Sequence, residues 1–198
     1  MEIIESEIHR DYFRAVMYAK LTEYFEQRPL YPGTGIEFGE RANGIIQKMC
    51  PGTVWEERAY PQYDIAEIDS WSECDVVIAD QVLEHVYKPW QAFNCAGQRV
   101  KQAFIVTVPF LLKVHADPSD FWRMTPDCIR ELGKDAGFTD IHVDSWGNPQ
   151  AEAWLSKYLN RSWNTHLVID NNPEEEWRNA LIENDPVTPI MIWAVLRR

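Results

Sequence analysis

The chain has 198 residues, 45% of them hydrophobic and 25% charged, with a formal net charge of −12. That length fits one domain with a core that needs no disulfide or metal staple. The acidic balance works against a surface that grips nucleic-acid phosphates, which requires clustered Lys and Arg, and favours small neutral or cationic partners and sugars. No apolar run approaches the ~20 residues of a membrane span and no N-terminal secretory signal is legible, so a cytoplasmic protein is expected. Cys50, Cys74, Cys95 and Cys128 form no C-x-x-C pair. They read as buried or half-buried thiols in a reducing compartment, and no metal ligands are assigned.

Residues from about Glu5 to Gln27 predict a helix, because Phe13, Val16, Met17, Leu21, Tyr24 and Phe25 recur at three- and four-residue intervals. Pro29, Pro32, Gly33 and Gly35 end it. Residues 1–34 thus form either a cover for the core or a lid over a pocket. Gly35–Gly39 reads as a first strand, followed by a brief helix through Ile45, Ile46 and Met49 that Pro51-Gly52 stops. Thr53–Glu56 is a second strand with an acid at its end, and Tyr60–Ile68 a weak third.

Asp75-Val-Val-Ile-Ala79 is a short apolar run without polar alternation, which suits a strand buried on both faces. It turns polar at Asp80 and Gln81 and closes with Glu84-His85. In open α/β sheets ligands sit beyond the carboxyl ends of such strands. Pro89 opens a helix that presents Trp90, Phe93, Gly97 and Val100 on one side, and Ala103–Pro109 is another buried strand. Thr125-Pro126-Asp127 is a helix start with Thr as N-cap and Pro at the first helical position; Gly137 ends that helix. Strands follow at Ile141–Trp146 and Ile190–Leu196. Between them, residues 147–189 form a polar, Trp-bearing insert with helices expected near Glu152–Asn160 and Glu174–Glu183. The alternation implies a single α/β domain, a doubly wound, Rossmann-like, seven-stranded sheet that is mostly parallel with an antiparallel last strand.

Four blocks occur in order: Asp75-Val-Val-Ile-Ala-Asp-Gln-Val-Leu-Glu-His-Val86 with Pro89; Val106-Thr-Val-Pro-Phe110; His115-x-x-Pro-x-Asp-Phe-Trp-Arg-x-Thr-Pro126; and Ala136-Gly-Phe138. Over residues 35–146 the chain resembles the class I S-adenosylmethionine-dependent methyltransferases, most nearly the small-molecule or sugar-directed group with a type 11 domain. The resemblance implies S-adenosyl-L-methionine as cofactor. It makes Glu37 and Gly39 the first-strand cofactor turn, Glu56 the ribose acid and Asp64 a contact at the adenine end, with Asp80 and Gln81 beside the methionine moiety. Two features depart from the family. Glu37-Phe-Gly-Glu-Arg-Ala-Asn43 keeps one of the three glycines of the usual cofactor loop, and Val100-Lys-Gln-Ala103 replaces a Gly-Gly turn.

Transfer of a methyl group to a hydroxyl needs near-attack geometry and a base. His115 is the first candidate base, set in the loop with Asp117, Asp120, Trp122 and Arg123. His85 is the second, or else it packs and hydrogen bonds to a loop carbonyl, on the acceptor side with Trp122 and Arg123. Trp122 either stacks on a sugar or ring face or is core. Asp120 and Arg123 either bind a polar acceptor or pair with each other. Glu84 reads as structural. Three functions remain open: an O-methyltransferase of small or saccharide hydroxyls, a methyltransferase-like binding or scaffold protein without catalysis, and a nucleotide-dependent Rossmann oxidoreductase. The last lacks G-x-G-x-x-G after the first strand.

Overall fold

The computed structural model describes residues 12–39, 44–115, 119–158 and 184–198. Helix α1 (Tyr12–Gln27) precedes strand β1 (Thr34–Phe38), the one-turn helix α2 (Ile45–Lys48) and β2 (Val54–Arg58). Strand β3 (Cys74–Asp80) leads through a 3₁₀ turn at Leu83–His85 to α3 (Pro89–Arg99) and β4 (Val100–Pro109). Helix α4 (Pro126–Asp135), β5 (Asp140–Trp146), α5 (Pro149–Tyr158) and β6 (Met191–Arg197) complete the described chain. The sequence-predicted start of the first helix, the helix near Glu174–Glu183 and Asp117 lie outside the described residues.

Six strands make one sheet in the order β2-β1-β3-β4-β6-β5. β2, β1, β3 and β4 run parallel, and β6 is antiparallel to both β4 and β5. The expected antiparallel last strand is present. The third strand expected at Tyr60–Ile68 is not. That segment forms turns and leads into a 3₁₀ turn at Ile68–Ser70, consistent with its few β-branched residues and with Pro61 and Asp64, which favour turns. Among the described residues the sheet therefore has six strands rather than seven.

Val76, Val77, Ile78 and Ala79 of β3 are all buried, because the sheet is covered on both faces. Val77 and Ala79 point into one core with Phe93, Phe104, Ile129 and Phe138, beneath α3 and α4. Val76 and Ile78 point into the other, with Met17, Leu21, Ile46 and Trp193, beneath α1 and α2. The two-residue side-chain period of a strand sends alternate residues to opposite faces, so an unbroken apolar run feeds both layers. Thr125 caps α4 as its sequence requires, its hydroxyl accepting from the Cys128 N–H at 3.1 Å with Pro126 at the first helical position. Gly97 lets α3 approach the end of α4, since a Cβ there would lie 2.2 Å from the Ala136 carbonyl oxygen. Cys50, Cys74 and Cys95 are buried free thiols as expected; Cys128 is exposed, on the outer side of α4.

A candidate active site at the carboxyl ends of the strands

Chain direction across the sheet reverses between β1 and β3: β1 leads outward to β2, and β3 leads the other way to β4. Side chains and loops diverge at such a switch point and leave a crevice beyond the strand ends. A cleft of about 610 Å³ lies there, within the ordinary range for small-molecule sites. Glu37 and Gly39 from β1, Arg58 from β2 and Asp80 and Gln81 from β3 all reach it. Tyr63, Asp64 and Glu67 wall one end, and His85, Tyr87, His115 and Phe121 the other.

Glu37 is 2% exposed, and its Oε2 accepts from Gln47 Nε2 at 2.6 Å. Burial pushes its carboxyl up to about 7; the Gln47 bond opposes the rise, and the Asp80 and Glu57 charges add to it. Gly39 has φ +146°, a conformation that side chains rarely adopt. Asp80 accepts from the Tyr18 hydroxyl at 2.6 Å and from the Thr107 hydroxyl. Gln81 holds φ +56°, uncommon outside glycine. Its backbone N–H donates to the Thr107 carbonyl at 3.1 Å, and its side-chain amide to the Thr107 hydroxyl at 3.0 Å. One buried threonine in an apolar strand thus fixes the turn that follows its neighbour. Thr107 was legible as a polar interruption of that run; Tyr18, on α1, carried no such signal.

Glu56 does not line the cleft. Its side chain is 53% exposed and clasps Arg58, with contacts of 2.9 and 2.8 Å that hold its carboxyl below the usual range. β2 runs to Arg58, so the position at the cleft end of the strand is basic, and the guanidinium also bonds the Ser70 carbonyl and the Ser72 hydroxyl. Arg58 replaces Glu56 at this wall, a correction that follows from the longer strand. Asp64 does reach the cleft, its carboxylate accepting from the Ala66 N–H at 2.8 Å. Glu67 joins it, unmarked in the sequence.

The far end is built by two segments drawn together. The Phe121 and Trp122 N–H groups donate to the Glu84 carbonyl at 2.7 and 3.3 Å, fastening the loop before α4 to the turn after β3. His85 and His115 then meet edge to face with ring centroids 5.0 Å apart. His85 Nδ1 contacts the Ser119 carbonyl, the loop-carbonyl bond that its sequence position suggested. Asp120, with a side chain 1% exposed, accepts from the His115 backbone N–H at 2.8 Å, and His115 Nδ1 lies 3.2 Å from the same oxygen. Arg123 grips Asp120 with two contacts of 2.5 and 2.7 Å and also bonds the Leu112, Lys113 and Trp122 carbonyls. Burial pushes the Asp120 carboxyl up, but the Arg123 and His115 bonds outweigh it and leave the group below its ordinary value. Burial also lowers His115, which favours the neutral imidazole near pH 7.

Arg123 and Trp122 stand behind this wall rather than in it. Arg123 is committed to Asp120 and three carbonyls, and Trp122 donates its indole N–H to the Tyr87 carbonyl at 3.2 Å while its ring meets Trp90 edge to face. Beside the two histidines the aromatic side chains lining the cleft are Tyr87 and Phe121, with centroids 5.4 Å apart. Glu84 is 1% exposed, and among the described residues neither of its carboxylate oxygens has a hydrogen-bond partner of good geometry. Burial pushes its carboxyl up to about 8, with its own backbone N–H and the Arg14 charge as partial counterweights.

The chain superposes on an S-adenosylmethionine-dependent methyltransferase from Archaeoglobus fulgidus with TM-score 0.55 and 13% identity, covering 97% of both chains. The class I methyltransferase fold is the fold of this chain. A putative methyltransferase from Bacillus halodurans matches with TM-score 0.53 and 10% identity over 90% of this chain and 97% of its own. A putative sarcosine dimethylglycine methyltransferase from Galdieria sulphuraria gives 0.55 and 10% over 91% and 84%. No protein-family model matches the sequence, and no curated protein matches it. No helix among the described residues is long and apolar enough to cross a membrane. Glu40–Asn43 lie outside the described residues.

Proposed function

We propose that this protein is an S-adenosyl-L-methionine-dependent methyltransferase acting on a hydroxyl of a small-molecule or saccharide acceptor. The observation that carries the reading is the pair of acids, Glu37 and Asp80, at the switch point of a methyltransferase fold, beside a cleft of suitable size. Bound there, the cofactor would supply a methyl group on a cationic sulfur. Glu37 and Asp80 would face its positively charged amino-acid end, Gly39 and Gln81 would shape the backbone around it, and Asp64 with Glu67 would stand at the nucleoside end. Tyr18 and Thr107 hold Asp80 in place and leave it no freedom to turn away. At the acceptor end, Tyr87 and Phe121 offer ring faces to the apolar side of a sugar or other ring. His115, neutral and oriented by Asp120, is the group placed to take the proton from an acceptor hydroxyl.

Calorimetric titration with S-adenosylmethionine and with S-adenosylhomocysteine tests this directly, and absence of binding by both refutes it. The titration should also depend on pH. Below about 7 Glu37 is a neutral acid; above it, a carboxylate facing an ammonium group. If binding requires the carboxylate, affinity rises about tenfold between pH 6 and pH 8 by the change in ionised fraction. Glu37→Gln, neutral at every pH, should bind more weakly at pH 8 and show no such rise. A rise retained in the variant would remove Glu37 from the cofactor site.

A further inference from the structure

Among the described residues, Glu84 is the buried carboxylate left without a hydrogen-bond partner on either oxygen. A carboxylate this deeply buried, with both oxygens lacking good partners, costs several kcal/mol unless a cation or proton compensates it. His85 Nε2 lies 3.8 Å from Glu84 Oε1. The donor atoms of Glu84, His85 and His115 all fall within 4.8 Å of one another.

The surroundings of both rings are those of histidines that bind metal through Nε2. A ligating histidine ordinarily donates its other ring N–H to a carbonyl or carboxylate, which fixes the tautomer and the ring plane. His85 Nδ1 is engaged by the Ser119 carbonyl, and His115 Nδ1 lies against Asp120, itself held by Arg123. We infer that Glu84, His85 and His115 form a site for one divalent transition-metal ion at the acceptor end of the cleft. Two imidazoles and one carboxylate suit zinc, cobalt or manganese better than magnesium or calcium, which prefer oxygen alone. Bonds of ~2.1 Å in a tetrahedral site place donors ~3.4 Å apart, close to the 3.8 Å already separating His85 Nε2 from Glu84 Oε1. Three protein ligands leave a position for a solvent or acceptor oxygen. An ion there would lower the pKa of a coordinated acceptor hydroxyl, whose proton would then leave to solvent, and His115 would be a ligand instead of the base, since one nitrogen cannot do both.

The test is titration of the chelator-treated full chain with Co²⁺ and Zn²⁺. One equivalent is expected to bind, with a rise in the unfolding temperature that saturates with the ion. Glu84→Gln, His85→Gln and His115→Gln should each lower the affinity at least about 100-fold, more than loss of an outer-shell partner does. Each variant is checked for folding by circular dichroism. Should one fail to fold, the wild type decides alone. Bound Co²⁺ should broaden and shift the ring resonances of two of the five histidines, His85 and His115, and leave His142 sharp. No saturable uptake, uptake unchanged in the folded variants, perturbation of His142 in place of His85 and His115, or uptake of Mg²⁺ in preference to Co²⁺ and Zn²⁺ would each overturn the inference. Titration with S-adenosylhomocysteine on the same samples separates the two proposals, because metal uptake without cofactor binding, or the reverse, refutes one and leaves the other.

Discussion

Asp120→Ala should lower the stability of the protein by roughly 3 kcal/mol, because it leaves the Arg123 guanidinium without the carboxylate it was buried against. Asp120 serves three neighbours at once: two contacts from Arg123, the His115 backbone N–H at 2.8 Å and His115 Nδ1 at 3.2 Å. The carbonyls of Leu112, Lys113 and Trp122 still engage Arg123 and keep the loss below the upper end for buried pairs. Turnover of a methyl acceptor should fall by about 100-fold or more, since a displacement of about 1 Å at a reacting group has that effect. Asp120→Asn should fall between: it keeps an oxygen for the His115 N–H but turns an amide toward Arg123. The pH dependence has a definite sign. Because the Asp120 carboxyl sits below its open-chain value, its stabilisation is complete above that value and is lost as pH falls through the lower folded one. Urea denaturation at neutral and acid pH measures it. A loss under 1 kcal/mol for the alanine variant would reduce the cluster to an ordinary surface ion pair.

Phe104→Ala should be the most damaging single core substitution, at about 3–5 kcal/mol. Phe104 is fully buried in β4 and meets three aromatic rings: Phe93 of α3 at 5.5 Å, Trp71 at 6.2 Å and Phe138 at 6.4 Å between centroids. Truncation therefore removes apolar area and also opens a cavity between the sheet, α3 and the turn after α4, where rings of fixed shape relax little. Phe104→Leu, which refills most of the volume, should lose less than half as much. Since domains of this kind hold roughly 5–15 kcal/mol in total, the alanine variant should also be partly unfolded at temperatures where the wild type is intact. Equilibrium denaturation decides it, and equal losses for the alanine and leucine variants would mean that the site collapses instead of leaving a void.

Most of the fold was legible because its signals are local. The apolar run from Val76 to Ala79 becomes a strand buried on both faces, Thr125-Pro126 caps a helix, and the final strand returns antiparallel. Each rests on residues within a few positions of one another. Two errors share one cause: the ends of weak strands are set by their neighbours in the sheet. Among the described residues Tyr60–Ile68 has no partner strand and forms turns, while β2 pairs with β1 as far as Arg58 and so carries Glu56 out of the cleft.

The amino-acid sequence by itself determined the layered α/β architecture, the switch-point strand with Asp80 and Gln81, and the loop that carries His115 and Asp120. Only the tertiary structure decided what those residues do together. Glu84 and His85 are adjacent in sequence, yet His115 lies thirty positions on, and the Phe121 and Trp122 N–H bonds to the Glu84 carbonyl bring it within reach. Arg123 read equally well as a substrate contact or as a partner for Asp120, and the burial of that carboxylate fixed it as the partner. Periodicity encodes which face of an element is buried, whereas a site depends on which buried polar groups are left to satisfy one another across chain segments.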